Sequence, residues 1–282
     1  MNRIRLWLVV ALAALFAMGT IAAGCGGDDD DGNGDEAPAA QDLGLIQEGT
    51  LTVGTDTPFP PFEIGQPPDI SGYDIEVMDA IAAQLELTPE YVDTGFGTIF
   101  RDVAQGQFDT VAAASTITKG RENTVDFSDP YYEAQQALLV PEGSDIASPA
   151  DLSGVIVGAQ DGTTGEAYAN DETDAGEVRG FPEGPNAITA LVNGQVDAVV
   201  IDQPVAVDAV EKQEGVAIAA EIPTEELYGF AVAPDNDALR EAINEALAML
   251  KEDDTIQELY QKYFNSSPPA SIEGTNPLLT DE

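Results

Sequence analysis

Two stretches of this chain, GQFDTVAAAS at 106–115 and GQVDAVVID at 194–202, share one local pattern. Each puts a glycine at the end of a helix-period segment, follows it with Gln-x-Asp, and runs into an apolar strand. A helix-to-strand unit that occurs twice points to two lobes of similar build. The flanking sequence agrees. LTVGTD (51–56) predicts a strand ending in a loop at TPFPPF (57–62), and YDIEVMDAIAAQLEL (73–87) sets Ile75, Met78, Ile81, Ala82 and Leu85 on one helical face. TPEYVD (88–93) is the next strand, GTIFRDVAQGQ (97–107) the next helix, and FDTVAAAS (108–115) a buried strand.

The second set begins with a strand at GVIVGAQ (154–160), helices at TTGEAYAND (163–171) and AITALVNGQ (187–195), and a buried strand at VDAVVID (196–202). A further strand is expected at LYGFAVAP (227–234), two helices across 237–264, and a loose tail at 265–282. Strand–helix alternation sustained over this length predicts an α/β fold with mainly parallel sheets.

Ahead of the folded part, Arg3 and Arg5 precede an unbroken apolar run, Leu6–Met18, and Ala22-Ala23-Gly24 lead directly to Cys25. That order makes residues 1–24 a secretory signal. An uncleaved anchor is the alternative, since the apolar stretch to Ala23 is nearly long enough to span a bilayer. Either way the remainder is expected outside the cytoplasm. Residues 25–45, with GGDDDDGNGDEAPAAQ, have no apolar period and are expected to form a flexible, self-repelling tether.

Composition removes several functions. Ten Lys and Arg stand against 52 Asp and Glu, for a formal net charge of −42, so a nucleic-acid partner is not expected. Histidine is absent, which removes the usual general base and the commonest metal ligand. A single cysteine allows neither an internal disulfide nor a cysteine zinc site. No metal or cofactor is expected.

In parallel sheets, ligands sit beyond the carboxyl ends of the strands. Asp56 and Phe59 follow the first predicted strand, Phe96 follows TPEYVD, and Ser115, Thr116, Thr118 and Arg121 follow FDTVAAA. Gln160 closes the next strand, before Asp161, Gly162, Thr163 and Thr164 at a helix start, and Asp202 closes VDAVVID. An arginine fork and a helix start suit a carboxylate, Asp202 suits an ammonium, and phenylalanine faces suit a side chain. These are the parts of an α-amino acid. Singly, each residue has a plainer role: Arg121 in a surface ion pair, Asp202 as a helix cap, Phe59 and Phe96 as core.

The segments GTLTVGTDTPFPPFEI, GYDIEVMDAIAAQL, FDTVAAASTITKGRENTVDFSDPYYEAQQALLV, VGAQDGTTGEAYA, GQVDAVVIDQPVA and YGFAVAPD occur in this order. Together they resemble the polar-amino-acid solute-binding proteins of ABC importers over about 49–265, most specifically in ITxxRxxxVDFSxPYY. The resemblance implies a type II periplasmic-binding fold, two Rossmann-like lobes joined by a two-strand hinge. It places lobe 1 at 46–138 plus 230–265 and lobe 2 at 141–228, with crossings near Leu139–Pro141 and Tyr228–Phe230 and a flexible tail at 266–282. It gives Arg121 the ligand α-carboxylate with help from Thr116 and Thr164, Asp202 the α-ammonium, and Phe59 and Phe96 the two sides of the ligand side chain. Asp56, with Glu63, Ser115 and Gln160, lies at the far end, which favours cationic or neutral polar amino acids. The sequence departs from the family at Ala113 and Ala114, where serine or glycine is frequent. The N-terminus resembles a bacterial lipoprotein signal with Cys25 as the lipidated residue. The implied protein is a monomer, lipid-anchored outside the cell membrane, that delivers its ligand to permease subunits. A cyclohexadienyl or arogenate dehydratase-like enzyme on the same fold is the alternative, and a sensor domain is a third.

Overall fold

The computed structural model describes residues 42–277. The signal segment, Cys25 and most of the acidic tether lie outside the described residues. In chain order the elements begin with β1 (Thr50–Thr55), the short β2 (Ile64–Gln66) and β3 (Asp69–Ser71), α1 (Tyr73–Gln84), β4 (Thr88–Asp93) and α2 (Phe96–Ala104). Then come β5 (Thr110–Val111), β6 (Asp126–Phe127), β7 (Tyr132–Pro141), β8 (Ile156–Gln160), α3 (Thr164–Asp171), β9 (Glu177–Phe181) and α4 (Gly184–Val192). β10 (Ala198–Asp202), α5 (Gln203–Lys212), β11 (Val216–Tyr228), β12 (Ala231–Val232), α6 (Asp237–Glu252) and α7 (Thr255–Phe264) complete the fold.

Two five-stranded sheets organise the two lobes, in the orders β4-β1-β5-β12-β6 and β11-β7-β10-β8-β9. Each has a parallel half, β4-β1-β5 in one and β10-β8-β9 in the other, completed by antiparallel strands. The sheets are therefore mixed. β10 is buried at every position, as a central strand packed by α3, α4 and α5 should be. In the first lobe α1 packs against α6 and α7, and α6 turns Leu239, Ile243, Leu247 and Leu250 inward at helical spacing.

The repeated pattern has a structural basis. Gly106 and Gly194 take φ of 70° and 68°, a left-handed cap that glycine adopts freely. Asp109 then donates its N–H to Thr52 O and accepts the Thr52 N–H on its side chain, each at 2.8 Å. Asp197 makes the same pair of 2.8 Å bonds with Ile156. In both lobes this aspartate locks the repeated unit to the strand beside it.

The chain passes between the sheets at 128–131 and 229–230, where Ser128 N donates to Phe230 O and Tyr131 N to Tyr228 O. The Tyr131 and Phe230 rings stack at 4.0 Å. The first crossing therefore lies earlier than Leu139–Pro141. Those residues are inside β7, which pairs with β10 and β11 because YYEAQQALLV keeps its apolar residues buried through the second sheet. The segment after α7 also differs from a flexible tail. Ile272 and Asn276 are fully buried, Lys251 Nζ donates to Ile272 O, and Asn276 donates to Asp129 and Glu122.

Candidate functional site

One cavity between the lobes is lined by Asp56, Phe59, Phe96, Ala113, Ala114, Thr116, Arg121, Gln160, Thr163, Thr164 and Asp202. Of the residues expected there, Ser115 and Glu63 are not among the lining. Ser115 is fully buried and donates its hydroxyl to Ala113 O. Ala114 has φ 43° and gives its N–H to Asp74 Oδ2 at 2.7 Å, a turn that breaks the strand alternation and brings Ala113 and Ala114 to the wall. Glu63 is wholly buried behind the cavity. Burial, then the Asp74 carboxylate beside it, push its carboxyl well above the usual range.

Arg121 stands on a short 3-10 turn, Arg121–Asn123. Its Nη1 donates to Thr116 O at 2.6 Å and Nη2 to Gly162 O at 3.2 Å, the second a contact across the lobes. Its guanidinium lies 5.1 Å from the Phe96 ring centre and 4.7 Å from that of Phe100. Burial pulls its pKa down to about 10, against the charges of Glu226 and Asp202, so it remains a cation at ordinary pH.

Asp202 ends β10 and stands at the N-cap of α5 without capping it by its side chain. It accepts a bond from Gln136 Nε2 instead. Burial, then the nearby Glu226 carboxylate, push Asp202 up to about 7. At the other end of the cavity, Gln160 Nε2 donates to Asp56 Oδ2 across the lobes at 2.6 Å. Burial, partly offset by that bond, raises Asp56 to about 6. Thr163 caps α3 by accepting from Glu166 N, and Thr164 follows it as the first helical residue. Phe59 reaches from the first lobe to Gly184, where an added Cβ would meet its ring at 2.9 Å. One arginine and two under-neutralised carboxylates, beside the Phe59 and Phe96 rings of the first lobe, form a seat for a small zwitterion or cation.

Two residues outside the sequence reading complete the surroundings. Glu226 on β11 accepts from Thr116, Thr164, Gln136 and Thr224, and Gln136 on β7 links it to Asp202. Gln136 was within reach of pattern, since Ala134, Gln136 and Leu138 alternate on one buried face of β7. Glu226 sits in TEEL, which in so acidic a chain looks like solvated charge.

A two-lobed α/β protein with a polar seat in its cleft is built as a solute-binding protein. The sequence pattern of the bacterial extracellular solute-binding proteins, family 3, matches residues 51–266, and the chain belongs to that family. It is 30% identical over 220 residues to the ABC transporter arginine-binding protein 1 of Escherichia coli (strain K12), covering 76% of this chain and 90% of the relative. A solved ancestral arginine-binding protein bound to glutamine is 40% identical with a TM-score of 0.75, covering 78% of this chain and 100% of that one. The ancestral amino acid-binding protein AncCDT-1, a precursor of cyclohexadienyl dehydratase, is 35% identical with a TM-score of 0.71, covering 77% and 96%.

Proposed function

We propose that this protein is the amino-acid receptor of an ABC importer, held outside the cytoplasmic membrane by a lipid on Cys25. The observation that carries the reading is Arg121 facing Asp202 and Asp56 within a cavity shared by both lobes. Arg121 takes the ligand carboxylate, Asp202 its ammonium, and Phe59 and Phe96 flank the side chain near Asp56 and Gln160. A ligand that touches both lobes favours the state in which they are together, and that state is what the permease receives. The crossings at 128–131 and 229–230 serve as the hinge.

The far end holds Asp56 and Gln160 and, among the described residues, no second cation, so a cationic or neutral polar side chain avoids the like-charge contact that an acidic one meets. In a thermal-shift panel of the twenty amino acids, arginine, lysine, histidine or glutamine should stabilise most. Glutamate or aspartate at the head of the panel would refute this pocket chemistry. For the anchor, Cys25→Ser should release the protein from membranes or leave it unprocessed, and mature-length Ser variant in the membrane fraction would exclude lipidation.

A dehydratase reading has two supports, the similarity to AncCDT-1 and an Asp202 carboxyl near pH 7 that could donate a proton. Among the described residues Arg121 is the only cation lining the cavity, which suits one carboxylate rather than a dicarboxylate ring. Formation of an aromatic product from prephenate or arogenate would overturn the binding-protein reading.

A further inference from the structure

Glu226 stands behind the cavity wall, and two of the residues that do line the cavity, Thr116 and Thr164, turn their hydroxyls back to it. Its Oε2 accepts from Thr116 Oγ1 at 2.6 Å and from Thr164 Oγ1 at 2.7 Å. Its Oε1 accepts from Thr224 Oγ1 at 2.8 Å and Gln136 Nε2 at 3.0 Å. Glu226 is 7% exposed as a residue, and these four bonds stand in for water around its carboxylate.

A threonine hydroxyl has one proton and two lone pairs. Short bonds to an ionised carboxylate are charge-assisted and strong, so both protons are committed to Glu226. What Thr116 and Thr164 offer any other partner is therefore an acceptor. They cannot donate to a ligand carboxylate, which is the part the family resemblance gives them. The Gln136 Nε2 atom shows how close the acceptors stand to one another. That one nitrogen lies within hydrogen-bond reach of Asp202 Oδ1, Glu226 Oε1 and, at 3.4 Å, Thr164 Oγ1.

We infer that Glu226 is the positioning residue for the ligand's α-ammonium: by holding the hydroxyl protons of Thr116 and Thr164 it makes both oxygens acceptors, which join Asp202 in a seat for three N–H donors. The inference rests on the amino-acid-receptor reading and deepens it. An ammonium brings three donors and no acceptor, so it fits such a seat, whereas a carboxylate is repelled by it. Among the side chains lining the cavity, Arg121 then carries the ligand carboxylate. Because Thr116 follows β5 of the first lobe and Thr164 opens α3 of the second, the same carboxylate also aligns the two lobes around the ammonium.

Glu226→Gln tests this while keeping the side-chain shape. An amide N–H in place of Oε2 donates to the threonine oxygens and turns their hydroxyl protons toward the cavity. Calorimetric titrations would compare L-arginine with 5-guanidinopentanoate, the same molecule without its α-amino group, on wild type, Glu226→Gln, Thr116→Val and the double variant. The preference for arginine over its deamino analogue should fall by about tenfold or more in Glu226→Gln, with the analogue within about threefold of its wild-type affinity. Thr116→Val should lower the same preference, and the double variant should lose less than the two single losses combined. A Glu226→Gln protein that weakens both ligands by one common factor, or keeps the wild-type preference, overturns the inference and leaves the receptor reading standing. Should Glu226→Gln not fold, Thr116→Val decides: selective loss of arginine upholds the role, and equal loss of both ligands overturns it. Wild-type protein that binds none of the twenty amino acids overturns both readings together.

Discussion

Arg121 is oriented before any ligand arrives. The Phe96 and Phe100 rings, edge to face with each other, each lie within cation–π reach of the guanidinium, and the Thr116 and Gly162 carbonyls take two of its donors, leaving the rest of the fork for an anion. Arg121→Ala should weaken ligand binding by about 3 kcal/mol, roughly two decades in Kd, because a carboxylate would be buried without its partner. Arg121→Lys should recover little of this, since one ammonium reproduces neither the fork nor the stacking. Titration placing Arg121→Ala within about threefold of wild type would remove this residue from the site. Such residues were legible because strand ends of a parallel sheet deposit them at one edge, as Asp56, Gln160 and Asp202 show. Ser115 was misplaced because the left-handed turn at Ala114 reverses which side chains face the cavity, and no sequence pattern announces that turn. Glu226 was missed because its burial depends on partners from β7, α3 and the segment after β5, none of them near it in the chain.

At the level of elements, α1, α2, α3 and α4 were legible from helical period, and β1, β4, β8 and β10 from short apolar runs bounded by turn residues. The hinge strands were not. β11 runs for 13 residues but shifts register between Ile218 and Ala220 and between Ile222 and Glu226, which destroys the two-residue alternation that marks a strand. The polar segment after α7 was read as loose because NSSPPASIEGTN has almost no apolar content, yet its one isoleucine is the residue that docks. Ile272→Ala should therefore lower unfolding stability by about 2–4 kcal/mol, the range for emptying a buried aliphatic site. Denaturant unfolding should show a lower midpoint with an unchanged slope. A midpoint equal to wild type would mean that this segment contributes nothing to the fold. Because Asn276 also bonds to Glu122, beside Arg121, and to Asp129 at the first crossing, the segment braces both the arginine turn and the hinge.

Across the whole molecule, the acids buried around the cleft act together on pH. Asp56 and Asp74 are raised to about 6, Asp202 to about 7, and Glu63 well above the carboxylate range, in each case chiefly by burial. A carboxyl whose folded pKa exceeds its unfolded value keeps its proton longer in the native state. Its contribution to stability is complete below the unfolded pKa, near 4, and is lost as pH rises through the folded value. The ligand-free protein should accordingly lose on the order of 5 kcal/mol between about pH 5 and pH 8, about 1.4 kcal/mol from each of Asp56 and Asp74 and about 2.7 kcal/mol from Asp202. Self-repulsion in a chain of net charge −42 works in the same direction. Arg121 is shifted down only to about 10, above this window, and the lowered Asp102, Asp151 and Asp253 titrate below it. Ligand binding should run the other way. An ammonium beside Asp202 favours the ionised carboxylate, so affinity for a cationic amino acid should rise from pH 5 toward pH 8, by up to about tenfold per pH unit while Asp202 is still protonated. Thermal melts and titrations across that range should give opposite slopes, stability falling and affinity rising. A ligand-free melting temperature that climbs from pH 5 to pH 8 would show that these carboxyls are already ionised in the native protein, and that the charge of the cleft is balanced by something other than the ligand.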